Sequence, residues 1–457
     1  MQGRSLLDWL KLKLTIMSQP PWNLLTSSPE LGRPARQGKR PPNGTVNSFL
    51  SPSELVDSGV SDESDNYPIV VLSHLGWDWV WQRPQQYLSR FAKTHPVLFV
   101  ETYCSDIAAT RVDLRQVEDH PNITVAQMHL PRGRWSEGDY IDRERRRALQ
   151  AVLSGSLQAT FKNPLLWFYD PMAVVAFAGH LNERAIVYDC MDELSQFKGA
   201  PPTLIEREQQ LLAVADVVFC GGQKMREKRL PYNPNTHFFG TGVDVKHFGQ
   251  ALSADLPVPS EITALSHKTV LGYFGVIDER IDYELLAKLA DARSDWHVVM
   301  VGPTAKVDPA DFPQRPNIHF IGGRPYQGLP ALTKGFSVAL MPFALNAATE
   351  YINPTKALEY MAAARPVVST ALDEVKLNFG TVARIAHDHD AFVEWCLREA
   401  KAPSLARIKR GLKFARQNTW EANIARMKTH ITDVLADSAA TAESTARSVK
   451  VPRLVYV

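Results

Sequence analysis

Lys356 and Glu359, set three residues apart, are the residues of this 457-residue chain best placed to do chemistry together. They stand in the run Glu350-Tyr351-Ile352-Asn353-Pro354-Thr355-Lys356-Ala357-Leu358-Glu359-Tyr360. Asn353 suits an N-cap and Pro354 the first helical position, so a helix is predicted to begin there. Residues 355–364 are mostly strong helix formers, and Pro366 stops them before a β-branched strand. Unpaired N–H groups and the helix dipole make such a start an anion site, at which Thr355 lies and to which Lys356 adds a formal positive charge. Glu359, on the same face, can accept hydrogen bonds from vicinal hydroxyls. A phosphate cradle, a cation and a carboxylate within a few ångströms are together the complement of a nucleoside diphosphate. The plain alternative is a surface helix packed beside a strand.

Other chemistry-bearing residues gather at predicted strand ends, where open α/β sheets place ligands. Asp189 and Asp192 follow the apolar strand 185–188. Either could serve as a general base, Asp192 first and Asp189 second, or could simply cap the next helix. His74, Trp77, Asp78 and Arg83 share the loop after the first strand. Tryptophans in a loop are costly unless they bury or bind something, so this loop reads either as an acceptor platform or as domain-core packing. His74 is a further catalytic candidate whose bland reading is a satisfied structural histidine. Gly275 permits a sharp turn after a strand, and Arg280 beyond it could grip a pyrophosphate bidentately. Gly302-Pro303 marks the corresponding turn after the next strand. His387, Asp388, His389 and Asp390 resemble metal ligands by type, but consecutive positions in a turn seldom converge on one ion, and Asp390 reads as a helix cap. No metal site is predicted. Arg143, Arg145, Arg146 and Arg147 read as a solvated helix face, or as a contact for an anionic acceptor or lipid head groups.

Short apolar runs alternate with helical patterns along the chain. Strands are predicted at 68–73, 97–100, 123–126, 165–169, 185–188 and 217–220, and again at 269–274, 297–301, 317–322, 336–341, 367–370 and 382–386. Helices between them argue two doubly wound parallel-sheet domains. A net charge of +2 gives no reason to expect nucleic acid. The four cysteines form no CxxC pair, so neither zinc nor a disulfide framework is expected, and a reducing, cytoplasmic setting fits. Residues 1–66 do not read as a packed domain. Within them, 1–17 could form a short helix lying on a membrane surface, with a disordered or partner-bound start as the alternative.

The run Pro354-Thr355-Lys356-x-x-Glu359-Tyr360, followed by Pro366-Val367-Val368, resembles the donor-binding segment of GT-B glycosyltransferases, particularly the family 4-like group 1 enzymes of polysaccharide and cell-envelope biosynthesis. The segments His74–Gln85, Gly240–Phe248 and Gly322–Tyr326 resemble the same group in order and spacing. The similarity departs at Tyr351, where that group has a second Glu, at Ala364, where it has Gly, and at Val276, where it has a basic residue. The resemblance implies two Rossmann-like domains across a crevice. The expected divisions are 67–250 for the acceptor domain, 251–266 for a linker and 267–417 for the donor domain. A crossing-back helix at 418–435 and a mobile tail at 436–457 complete the chain. It implies transfer of a sugar from a nucleotide-sugar donor to a hydroxyl of a glycan or lipid-linked acceptor. Cationic groups and a helix dipole could stabilise the leaving diphosphate, and with no obvious Asp-x-Asp metal-binding signal no obligatory metal is expected. Gly275, Arg280, Gly302, Asn353, Thr355, Lys356 and Glu359 would hold the donor, Trp77, Asp78 and Arg83 the acceptor, and Asp192, Asp189 or His74 would act in catalysis. A GT-B-shaped nucleotide-sugar epimerase and a catalytically silent GT-B scaffold are the alternatives. No dinucleotide fingerprint or P-loop is present.

Overall fold

The structure, a computed structural model, describes residues 66–448 apart from Val80, Lys198, Ser266, Ala347, Ala348 and Asn353. The expectations for residues 1–65 and for Asn353 lie outside the described residues.

The apolar runs become central strands buried on both faces, as parallel sheets require. In the first domain these are β1 (Ile69–Leu72), β2 (Val97–Ser105), β3 (Arg111–Val117), β4 (His120–Pro131), β5 (Leu165–Phe168), β6 (Ala185–Cys190), β7 (Val217–Cys220) and β8 (Thr236–Phe238). Their order in the sheet is β3-β4-β2-β1-β5-β6-β7-β8, with only β3–β4 antiparallel. The second domain has β9 (Thr269–Phe274), β10 (Trp296–Val301), β11 (Ile318–Phe320), β12 (Val338–Met341), β13 (Val367–Thr370) and β14 (Arg384–Ala386). Their order is β11-β10-β9-β12-β13-β14, parallel throughout.

The first domain ends nearer Gly242 than 250. Val243 and Phe248 pack into the core of the second domain, Phe248 stacked on Phe274 at 5.8 Å. Val243 also bridges Thr419, so the outward and returning passages of the chain lie side by side. Gly242 is needed at this crossing, because a Cβ there would sit 2.8 Å from Trp420. The linker expected at 251–266 is mostly exposed among its described residues and is tied down at a few points. Lys334 Nζ donates to the carbonyls of Ser253, Ala254 and Leu256 at 2.7, 3.0 and 2.6 Å, and Ile262 is buried.

The returning helix is Trp420–Ser448. Trp420, Ile424, Met427, Ile431 and Val434 form one stripe at helical spacing, and all five enter the first domain's core. Trp420 meets Tyr87 edge-on at 5.2 Å, and His430 stacks on His237 at 3.8 Å. The helix continues past 435, where a mobile tail was expected. Ala436, Ala439, Ala440, Ala442 and Ala446 supply the propensity that sustains it.

Candidate active site

Residues that follow β6 and β7 meet residues that follow β9, β10 and β13, so the carboxyl ends of both sheets face one crevice. The second domain's side is built in layers. Gly302 has φ 156° and Gly275 φ 142°. A Cβ on Gly302 would lie 1.7 Å from the Gly275 carbonyl oxygen, and one on Gly275 would lie 2.0 Å from Lys356 Cε. The two turns and the lysine therefore stack directly on one another. The helix Lys356–Ala362 begins with Thr355 at its N-cap position. Lys356 Nζ rests 5.5 Å from the centre of the Tyr273 ring. Burial lowers its pKa, with Glu359 opposing. Glu359 is 9% exposed, and burial pushes its carboxyl up to about 7 against the pull of Lys356. Among the described residues neither the ammonium nor the carboxylate has a hydrogen-bond or ion-pair partner. The helix thus starts two residues after Pro354, the first helical position expected from sequence. Ala364 has φ 53° where the group 1 pattern has Gly, a left-handed conformation that disfavours a side chain by about 1–2 kcal/mol.

Arg280 departs from the expected role in part. Its Nε and Nη2 already grip Asp278, Nε at 3.0 Å and Nη2 at 2.7 Å. Burial opposes its charge, but Asp278 holds the guanidinium above its ordinary value. One fork is thus committed to Asp278, and the Nη1 edge is the one left for an anion. Lys306 stands nearby with Nζ 4.8 Å from the Phe197 ring of the first domain.

On the opposite wall Asp192 is half-buried, and its charge is felt at Arg280. Its neighbour Glu193 anchors the loop. The Glu193 carboxylate accepts from Arg229 at 2.9 Å, Lys228 at 3.1 Å and Ser195 at 2.6 Å. Arg229 is itself pinned by Glu208 at 2.8 Å.

Three expected first-domain residues, Asp189, Arg83 and Trp77, take structural places instead. β6 runs two residues past its predicted end, so Asp189 lies within the strand, fully buried, and cannot face the crevice as a base. Its Oδ1 accepts from Arg83 Nε at 2.9 Å and Nη2 at 2.7 Å, and Arg83 Nη1 donates to the Phe239 carbonyl at 2.6 Å. Arg83 is therefore an internal clamp rather than an acceptor ligand. Trp77 is 4% exposed, packs edge-on against Phe99 at 5.3 Å, and donates its backbone N–H to Glu101 at 2.6 Å. It belongs to the core, not to an acceptor platform. Asp78 is exposed and paired with Arg115. His74 lies near the crevice end of β1 with Nδ1 2.9 Å from the Tyr169 carbonyl, which orients the ring. The arginine run divides: Arg143 and Arg147 lie exposed on the solvated face expected, Arg147 paired with Glu144, whereas Arg145 is buried against Asp170 and Arg146 donates to the Ala176 carbonyl. Asp388, not Asp390, caps its helix, accepting from the Ala391 N–H at 2.7 Å, while Asp390 pairs with Lys288 and His389 with Asp282.

Several supporting roles were not assigned from sequence. Asp278 positions Arg280, and the signal was present as a carboxylate two residues before it. Tyr273 underlies Lys356, and the Tyr360 hydroxyl accepts from the Phe274 N–H at 3.0 Å, tying the helix to the end of β9. Tyr326 feels the charge of Glu359 and stacks on His247 at 4.3 Å. Tyr360 stands in the run with Lys356 and Glu359 and Tyr326 in the Gly322–Tyr326 segment, but what each tyrosine supports depends on which strand end it reaches.

Two Rossmann-like domains facing across a crevice, with a terminal helix crossing back, define the GT-B fold. The similarity to solved structures is of that kind. Sucrose-phosphate synthase from Thermosynechococcus elongatus aligns with a TM-score of 0.60 at 15% identity, covering 81% of this chain and 100% of that one. Trehalose-6-phosphate from E. coli bound with UDP-2-fluoro glucose aligns at 0.56 and 16% identity, covering 80% and 99%. Residues 268–398, within the second domain, match the family described as Glycosyl transferases group 1. The putative teichuronic acid biosynthesis glycosyltransferase TuaH of Bacillus subtilis (strain 168) is 24% identical over 206 residues, 41% of this chain and 50% of that protein. The chain thus spans about half the length of the curated relative it matches.

Proposed function

We propose that this protein transfers a sugar from a nucleotide-sugar donor to a hydroxyl of a glycan or lipid-linked acceptor in polysaccharide or cell-envelope glycan biosynthesis. The observation that carries the reading is the second-domain cradle: a half-buried Lys356 and a buried Glu359, neither with a hydrogen-bond or ion-pair partner among the described residues, stacked over the Gly275 and Gly302 turns. Lys356, the helix start at Thr355 and the remaining edge of Arg280 meet the diphosphate, and Glu359 accepts from the ribose hydroxyls. The acceptor oxygen forms its bond to the anomeric carbon as the bond from that carbon to the diphosphate breaks. The diphosphate departs with the electron pair, and its growing charge is met by cationic groups already in place. Asp192 takes the acceptor proton. The match of residues 268–398 to group 1 glycosyl transferases and the similarity to TuaH support this reading.

Membrane contact through residues 1–17 remains part of the proposal, to be tested by liposome binding with and without residues 1–20; equal binding would remove it. Among the described residues no helix is long and apolar enough to cross a membrane.

Transfer is tested by release of nucleoside diphosphate that depends on added acceptor. Asp192→Asn is expected to lower turnover by about 100-fold or more while donor binding and fold persist, the usual scale for losing a general base. Near-full turnover would remove Asp192 from the mechanism. Conversion of the donor without any acceptor would favour the epimerase reading.

A further inference from the structure

The segment leading into the donor helix is held from the other domain. Lys224 lies just after β7 and reaches across to the second domain. Its Nζ is 2.7 Å from Asp373 and 3.2 Å from Glu350. Its backbone N–H donates to Glu374 Oε1 at 2.9 Å. Glu374 is fully buried, and Asn378 donates to its other oxygen at 3.0 Å. Close approach is built into the backbone here, because a Cβ on Gly222 would sit 2.8 Å from Glu374 Oε1. Tyr351, next to Glu350, packs against the first domain's core rather than its own, and Lys224 Nζ and Lys228 Nζ stand 5.7 and 5.4 Å from its ring centre. Residues 349–352 lead within a few positions to Thr355 and Lys356. Where the group 1 pattern has an acid, this chain has a tyrosine that docks on the opposite domain.

We infer that Lys224 is a positioning residue for the donor. From the first domain it clasps the Glu350–Tyr351 segment of the second, so that donor affinity depends on a residue that does not touch the donor. The inference rests on the donor-site reading above. Both ion pairs are partly exposed, so the clasp is modest in strength and sensitive to salt.

The test uses the full chain as wild type, Lys224→Met and Lys224→Arg. It reads donor KM and kcat separately, alongside small-angle scattering without ligand. Lys224→Met is expected to raise donor KM about tenfold, on the scale of two partly exposed ion pairs and a lost ring contact, with kcat within about threefold. Its radius of gyration should exceed that of the wild type as the domains part. Lys224→Arg should restore both, since a guanidinium can span the same carboxylates, and 0.5 M salt (about a 4 Å screening length) should shrink the difference between wild type and Lys224→Met. A Lys224→Met protein with wild-type donor KM and wild-type scattering would overturn the inference. Failure of the wild type to bind any nucleotide sugar would overturn the donor reading and the inference with it, while scattering would still report whether the clasp closes the domains.

Discussion

Replacing Gly302 by alanine should cost the protein its donor site and much of the stability of its second domain. The new Cβ would fall 1.7 Å from the Gly275 carbonyl oxygen, a backbone atom that cannot swing aside. The position also has φ 156°, where a side chain is strained. Backbone strain of about 1–3 kcal/mol and overpacking of similar size are expected together. A loss of about 3 kcal/mol in binding is already more than 100-fold in affinity. Gly275→Ala makes the informative comparison. Its Cβ meets Lys356 Cε at 2.0 Å, the flexible end of a side chain that can move away. That variant should keep more of its thermal stability yet lose the cradle, because yielding displaces the ammonium. Thermal unfolding and donor titration of both variants separate the two effects. A Gly302→Ala protein with wild-type melting and wild-type binding would show that the stacked turns neither hold the domain nor shape the site.

The second large effect is on pH. Glu359 titrates at about 7 because burial resists its charge. Ribose hydroxyls donate to the carboxylate and not to the protonated acid's O–H, so donor binding favours the ionised form. With a pKa of about 7, the carboxylate fraction rises from roughly a tenth at pH 6 to nine-tenths at pH 8, so affinity should strengthen about tenfold over that range. Stability runs the other way. The folded state holds the Glu359 proton more tightly than the unfolded chain, so its favourable contribution is full below the ordinary carboxyl value of 4.5 and is lost as pH rises to about 7. The net shift, already reduced by Lys356, corresponds to about 3 kcal/mol borne by the unliganded protein at neutral pH. Glu359→Gln should therefore flatten the pH dependence of binding and weaken it at pH 8, with no fall in melting temperature at that pH. Calorimetry between pH 6 and 8.5 reads both effects. A glutamine variant that kept the tenfold rise would assign the titration to another group.

How much of this was readable beforehand follows from where each residue's role is decided. The central strands were legible because parallel strands buried on both faces must be continuously apolar. β3 was not, since Arg111, Asp113 and Arg115 make it a charged antiparallel edge with no apolar run. The Lys356–Glu359 pair was legible because the two residues sit one turn apart on a helix that Pro354 shortly precedes. The roles of its supports were not: Tyr273 and Tyr326 come from other elements, and the contact of Tyr360 with the Phe274 N–H exists only in the fold. Asp189 was misread through a strand boundary two residues short, which moved a buried partner of Arg83 to the crevice. Trp77 could equally have been core or platform by type, and Glu101 and Phe99, distant in sequence, decide it. Arg280 was placed correctly in its loop, but its commitment to Asp278 appears only in three dimensions.

The most direct test of the central claim is calorimetric titration of the wild type with UDP-, GDP-, ADP- and dTDP-sugars, repeated with Glu359→Ala. One nucleotide should bind with micromolar affinity, and the substitution should weaken it by about 1.5–3 kcal/mol for the lost charged hydrogen bonds. Folded wild-type protein that bound none of the four would contradict the donor site and leave a GT-B scaffold that acts by capturing partners.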